Sequence, residues 1–226
     1  MKSLYDEGQV VIIYGDKGSG KTSLALVLGY IGQVQGQTIL LNIENNIPGF
    51  HLISTDVDLL EAFLKYKKSM TFIMDESNII QDAHRPSGDV ALNLYAFVSV
   101  VRKFRMSFWM IIQREANILL TIRDLTDIEI HKTSPTEGEM TIGPLVIPFN
   151  NVPGTTDFKL EYDTYSFAGF RFLLEWPKIL NALTGMSYDR AIKTLIEMDN
   201  NNFDGYRLDE RGPAPPPKKR KVDVFK

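Results

Sequence analysis

No cysteine occurs in the 226 residues, so neither disulfides nor thiolate-bound metals can hold this chain together or serve its chemistry. It also lacks any uninterrupted apolar run of the roughly 18 residues that span a bilayer. The longest candidate, Phe97 to Ile112, is broken by Arg102, Lys103 and Arg105. Met1 to Glu7 passes through an acidic turn into the first apolar run without a leader-like segment, so no secretory leader is expected. An overall excess of basic charge is missing as well. The formal net charge is -3, and the cluster Lys218-Lys219-Arg220-Lys221 sits in a proline-rich tail, which leaves the body more acidic still. A broadly basic nucleic-acid-binding surface is therefore not indicated. Apolar residues are plentiful: at 44% of the chain they suffice for one substantial α/β core with room for decoration.

The most informative segment is Gly15-Asp16-Lys17-Gly18-Ser19-Gly20-Lys21-Thr22, a complete G-x-x-x-x-G-K-[ST] phosphate-binding loop followed by Ser23. Glycines let backbone N–H groups turn inward around phosphates, and the start of the next helix adds its positive dipole end. The apolar run Gln9 to Tyr14 before the loop and Leu24 to Leu28 after it supply the strand and helix that the motif requires. ATP with Mg²⁺ is the expected ligand, Lys21 meeting the β and γ phosphates and Thr22 the metal.

Apolar strand-like runs alternate with helical ones up to residue 130, the pattern of a mostly parallel sheet flanked by helices. Strands are expected near 9–14, 38–43, 71–75, 107–112 and 126–130, and helices near 21–34, 56–66, 89–105 and 115–122. Met140 to Ile147 and Asp157 to Tyr162 read as an antiparallel pair joined by the turn-rich Asn150-Asn151-Val152-Pro153-Gly154. Helices near 176–184 and 187–199 follow. Residues 1–130 are thus expected to form the nucleotide-binding core, 131–210 a hairpin and helical extension of the same domain, and 211–226 an extended tail.

Thr71-Phe72-Ile73-Met74-Asp75-Glu76 is an apolar strand ending in two acids. Adjacent strand positions point to opposite sides, so the two can do different work. Asp75 is expected to hold Mg²⁺, and Glu76 to polarise the water that attacks the γ-phosphate. Phe108 to Ile112 is a third apolar strand, ending in Gln113. That glutamine reads either as a γ-phosphate sensor or as a cap on the next helix. Arg102, with Arg105 and Arg114 behind it, reads either as a finger reaching a neighbouring copy's nucleotide or as ordinary solvation at a helix end.

The order Gly15 to Thr22, Asp75-Glu76, Arg102-Lys103, Gln113-Arg114 and then Ile122-Arg123-Asp124-Leu125-Thr126-Asp127 resembles the FtsK/HerA superfamily of DNA-translocating ATPases. Within it, the chain is similar to genome-packaging ATPases of viruses with internal membranes and to Zot-like phage ATPases. The resemblance covers residues 9 to 130 and implies a RecA-like P-loop NTPase core. It also implies ATP hydrolysis between the subunits of a ring, a hexamer, with double-stranded DNA in the channel and a capsid or membrane protein as a further partner. The chain departs from the pattern in two respects: it has no membrane segment of the Zot kind, and Ile112 stands where threonine commonly precedes the glutamine. A Zot-like assembly factor acting on protein and a P-loop kinase are the alternatives.

Gln81 to Gly88 is a polar loop in which Arg85 is a candidate for a DNA phosphate and His84 is a lone histidine without ligand spacing. The tail segment Pro217 to Val222 reads as a nuclear import signal, a basic arm for DNA or a capsid surface, or a fused tag. The host cytoplasm or a virion is the expected location, with the nucleus implied if the tail directs import.

Overall fold

In a computed structural model of the chain, residues 3–66, 69–75, 89–113, 120–162 and 170–208 are described. Eight strands make one sheet: β1 (Val10–Gly15), β2 (Thr38–Leu41), β3 (Phe50–Leu52), β4 (Met70–Asp75), β5 (Ser107–Ile112), β6 (Ile128–Lys132), β7 (Gly138–Ile142) and β8 (Leu145–Phe149). Among the described residues six helices accompany them: α1 (Lys21–Val34), α2 (Asp56–Tyr66), α3 (Asp89–Lys103), α4 (Leu120–Arg123), α5 (Trp176–Leu183) and α6 (Tyr188–Asn200). The spatial order is β3-β2-β4-β5-β1-β6-β7-β8. β3 through β6 run parallel, while β7 and β8 are antiparallel additions at one edge.

Parallel strands covered on both faces read as continuous apolar runs, because neither side may be polar. β1 shows this: Val10 and Ile12 enter one core, Val11 and Ile13 the other, and all four are fully buried. The first core lies under α2, α3, α5 and α6, where Phe97 meets Phe72, Phe108 and Trp176 edge-on at centroid distances of 6.5, 5.4 and 5.0 Å. The second lies under α1, with Trp109 at its centre.

A buried carboxylate joins the C-terminal segment to the first core. Asp56, at the start of α2, accepts hydrogen bonds from Leu173 N (2.8 Å), Leu174 N (3.1 Å) and Trp176 Nε1 (2.8 Å). Asn93 of α3 completes the joint, donating to Leu174 O and accepting from Trp176 N. Burial pushes the Asp56 carboxyl up, and the three N–H donors oppose that rise.

The strands foreseen up to residue 130 are present within two residues, and α1 and α2 have the expected bounds. β3 was not foreseen; it is only three residues long and follows Pro48-Gly49. The expected antiparallel pair needs correction. The first run folds back on itself as β7 and β8, with Gly143 at φ 56 followed by Pro144 between them. Residues 157–162 are not a strand: they form turns, with a single bridge from Tyr162 to Asn45. Among the described residues, no helix is long and apolar enough to cross a membrane. Glu76, the Gln81 to Gly88 loop, Arg114 and the tail from residue 209 lie outside the described residues.

Candidate functional site

The phosphate loop leaves the C-terminal end of β1 and enters α1 at Lys21. Gly15 has φ 150, and a Cβ there would lie 2.1 Å from the backbone oxygen of Lys132 on β6, so only glycine fits. Gly20 caps α1 in the left-handed region at φ 81, with Pro135 stacked 3.3 Å from where its Cβ would be. Asp16, Lys17 and Gly18 are exposed at the loop's rim. Ser19 is buried, and its Oγ has no hydrogen-bond partner among the described residues. Lys21 is buried too, its Nζ donating to Gly15 O (2.9 Å) and Asp16 O (2.8 Å). An orphaned hydroxyl, an ammonium curled onto the loop carbonyls and a helix N-terminus, gathered on one loop, suit a polyphosphate.

Thr22 and Asp75, the two residues expected to hold Mg²⁺, lie side by side. Thr22 Oγ1 donates to Asp75 Oδ2 at 2.9 Å, joining α1 to the end of β4. A hydroxyl beside a carboxylate is a hard oxygen pair suited to Mg²⁺, which binds through one or two protein oxygens plus phosphates. Ser23 lies one step further on, where its Oγ accepts from Thr155 N (3.2 Å).

β5 lies between β1 and β4, with Tyr14 opposite Ile112 and Asp75 opposite Ile111. Gln113, the next residue, is exposed and level with Gly15, between the phosphate loop and the acidic strand end. Arg102 is placed elsewhere. Its guanidinium donates to Leu125 O (3.1 Å) and lies 3.5 Å from Asp127, whose other oxygen accepts from Val10 N (2.9 Å). The structure thus draws together Arg102 and the Leu125 to Asp127 segment, residues that carried much of the family resemblance. They gather at the start of β1, the end of the sheet opposite this chain's own phosphate loop.

Three residues beside the loop and the acidic strand end were not foreseen from the sequence. Asn42, just past β2, is buried and bonds to both backbone polar groups of Asp75. Lys132, ending β6, is buried beside the phosphate loop, donates to Pro135 O (3.1 Å) and lies 5.4 Å from the Phe149 ring centre. Burial pushes its ammonium down, with Glu137 opposing. Tyr162 closes a strap that passes Ser23, buries Leu160 and bridges Asn45. Burial, with the Asp75 charge nearby, pushes the Tyr162 hydroxyl up. The one available signal was a polar residue directly after an apolar run, which Asn42 shares with Gln113.

No protein-family model matches the chain, and no curated protein matches it in sequence. Among solved structures it is similar to B204, the DNA-packaging ATPase from Sulfolobus Turreted Icosahedral Virus, with a TM-score of 0.49 at 9% identity over 66% of this chain and all of that one. It is similar to ATPases 2 and 3 of EssC from Geobacillus thermodenitrificans, with a TM-score of 0.47 at 12% identity over 89% of this chain and 46% of that one. A third similarity is to the N-terminal domain of zonular occludens toxin from Neisseria meningitidis, with a TM-score of 0.42 at 16% identity over 71% of this chain and 95% of that one. Independently of these, the chain's own strand order, with β5 inserted between the phosphate-loop strand and the strand ending in Asp75, is that of a P-loop NTPase with a RecA-like fold.

Proposed function

We propose that the chain is a Mg²⁺-dependent ATPase of the FtsK/HerA type that moves double-stranded DNA as part of a ring, in the manner of a viral genome-packaging motor. The observation that carries this reading is the convergence of Lys21, the Thr22–Asp75 pair and Gln113 at the ends of three adjacent parallel strands. Lys21 releases its two loop carbonyls to meet phosphate oxygens, and Ser19 and the α1 N-terminus complete the cradle. Thr22 and Asp75 would hold Mg²⁺, which when bound neutralises charge on the β and γ phosphates. Glu76 would take the proton of the attacking water, and Gln113 would orient that water or read the γ-phosphate.

Arg102 is the candidate for a charge supplied to a neighbouring copy's phosphates, a role that requires it to leave Leu125 and Asp127. The test is steady-state ATP hydrolysis with and without linear double-stranded DNA, alongside Glu76→Gln and Arg102→Ala. Stimulation by DNA that vanishes with Glu76→Gln supports the motor. Hydrolysis indifferent to DNA, yet lost in that variant, moves the reading to an ATP-driven protein assembly factor. Arg102→Ala that hydrolyses normally but melts earlier assigns Arg102 to the base of the sheet alone.

A further inference from the structure

We propose that Asn42 is a positioning residue that fixes the metal-binding carboxylate of Asp75; this rests on the ATPase reading above. β2 and β4 pair in register from Thr38 opposite Met70 to Leu41 opposite Ile73, and β2 then ends. The backbone follows one step further, where Asn42 N donates to Ile73 O at 3.4 Å. Beyond that point no backbone of β2 is left to satisfy Asp75. The Asn42 side chain takes over: its Oδ1 accepts from Asp75 N at 2.7 Å and its Nδ2 donates to Asp75 O at 3.0 Å. One carboxamide thus imitates the missing peptide and extends the ladder by a rung.

The other side of Asp75 is held by β5, opposite Ile111. Gripped from both sides, the Asp75 peptide cannot rotate freely, and its carboxylate stays aimed at Thr22 Oγ1. Asparagine suits the task because its carboxamide carries an acceptor and a donor on one short stem. Leucine matches the shape and carries neither. Alanine also lacks the reach. Asn42 is 5% exposed and does not approach the phosphate loop in any hydrogen bond among the described residues, so its influence runs through Asp75.

The experiment measures binding of a fluorescent ATP analogue, with EDTA and across a Mg²⁺ titration, to the full chain, to Asn42→Ala, to the near-isosteric Asn42→Leu and to Thr22→Ala. Wild type should bind more tightly as Mg²⁺ is added. Both Asn42 variants should keep the EDTA affinity and need about 10- to 100-fold more Mg²⁺ for half-saturation, the usual loss when a group supporting a metal ligand is removed. Thr22→Ala should shift in the same direction. A wild-type Mg²⁺ requirement in both Asn42 variants would overturn the proposal. So would equal losses with EDTA and with Mg²⁺, because Asn42 would then serve only the strand. Failure of wild type to bind the analogue in either condition would instead overturn the ATPase reading.

Discussion

Replacing Asp56 with alanine tests whether one carboxylate holds the C-terminal segment onto the first core. The side chain is fully buried and accepts three N–H bonds, from Leu173, Leu174 and the Trp176 indole, with no cation paired to it among the described residues. Leu174 and Trp176 are themselves buried, whereas Leu173 is partly exposed, so two donors would lose their acceptor where water cannot replace it. Each such orphan costs about 1–3 kcal/mol. Relief of the desolvated carboxylate offsets part of this. The expected net loss is about 3 kcal/mol, a fall in Tm of about 6–12 °C for a chain of this size. Urea unfolding followed by both circular dichroism and tryptophan fluorescence would measure it, Trp176 reporting the local change. Asp56→Asn can set its one acceptor oxygen where Oδ2 takes the Leu174 and Trp176 bonds and turn its NH₂ toward the exposed Leu173 N–H alone, so it should recover more than half of the loss. A destabilisation under about 1 kcal/mol by Asp56→Ala, with an unchanged urea slope, would refute the view that these bonds anchor the segment.

Burial pushes the Tyr5 hydroxyl up to about 12, and that hydroxyl donates to Leu28 O at 3.2 Å. The folded state therefore holds this proton more tightly than the unfolded one, so Tyr5 contributes fully below pH 10 and its contribution is lost as pH rises through 12. Tyr5→Phe should remove that alkaline slope from the urea midpoint; an identical slope in both proteins would assign it to other groups. Gly15→Ala places a Cβ 2.1 Å from the Lys132 carbonyl, an immovable backbone atom, and should abolish binding of the fluorescent ATP analogue; retained affinity would show that β6 can retreat. Lys132→Met removes an ammonium disfavoured by burial together with its bond to Pro135, so stability should change by less than about 1.5 kcal/mol. Nucleotide affinity should nevertheless fall as the turn over Gly20 loosens, and unchanged affinity would detach that turn from the site.

What was legible in the sequence was local. The phosphate loop announces itself in eight consecutive residues, and α1 begins at Lys21 because the loop's own geometry starts it. α2 was equally plain, with Asp56 and Asp58 in its first turn and an apolar stripe behind. The hairpin was misplaced because Met140 to Ile147 is apolar enough to read as one strand, and the reversal at Gly143-Pro144 was outweighed by that run. Leu160 and Tyr162 read as strand residues, but among the described residues their segment meets other backbone only around the Tyr162–Asn45 bridge, too briefly for a strand, while Leu160 turns into the second core. Asn42 and Lys132 were overlooked for a different reason. Their roles depend on which strand lies beside them, and sheet order is not written in any single segment.

The strand that carries the phosphate loop is made long before either of its partners. Gln9 bonds to Ser107, 98 residues away, and Val10 to Asp127, 117 residues away. Until β5 and β6 have left the ribosome, the run Val10 to Ile13 has no partner on either side, and its apolar face and bare backbone are open to anything else that can pair with them. Such long closures slow folding. A nascent chain stopped before Ile128 cannot assemble the cradle for phosphate, so ATP could offer it no stabilisation; the ligand can reward only a chain whose synthesis has passed β6.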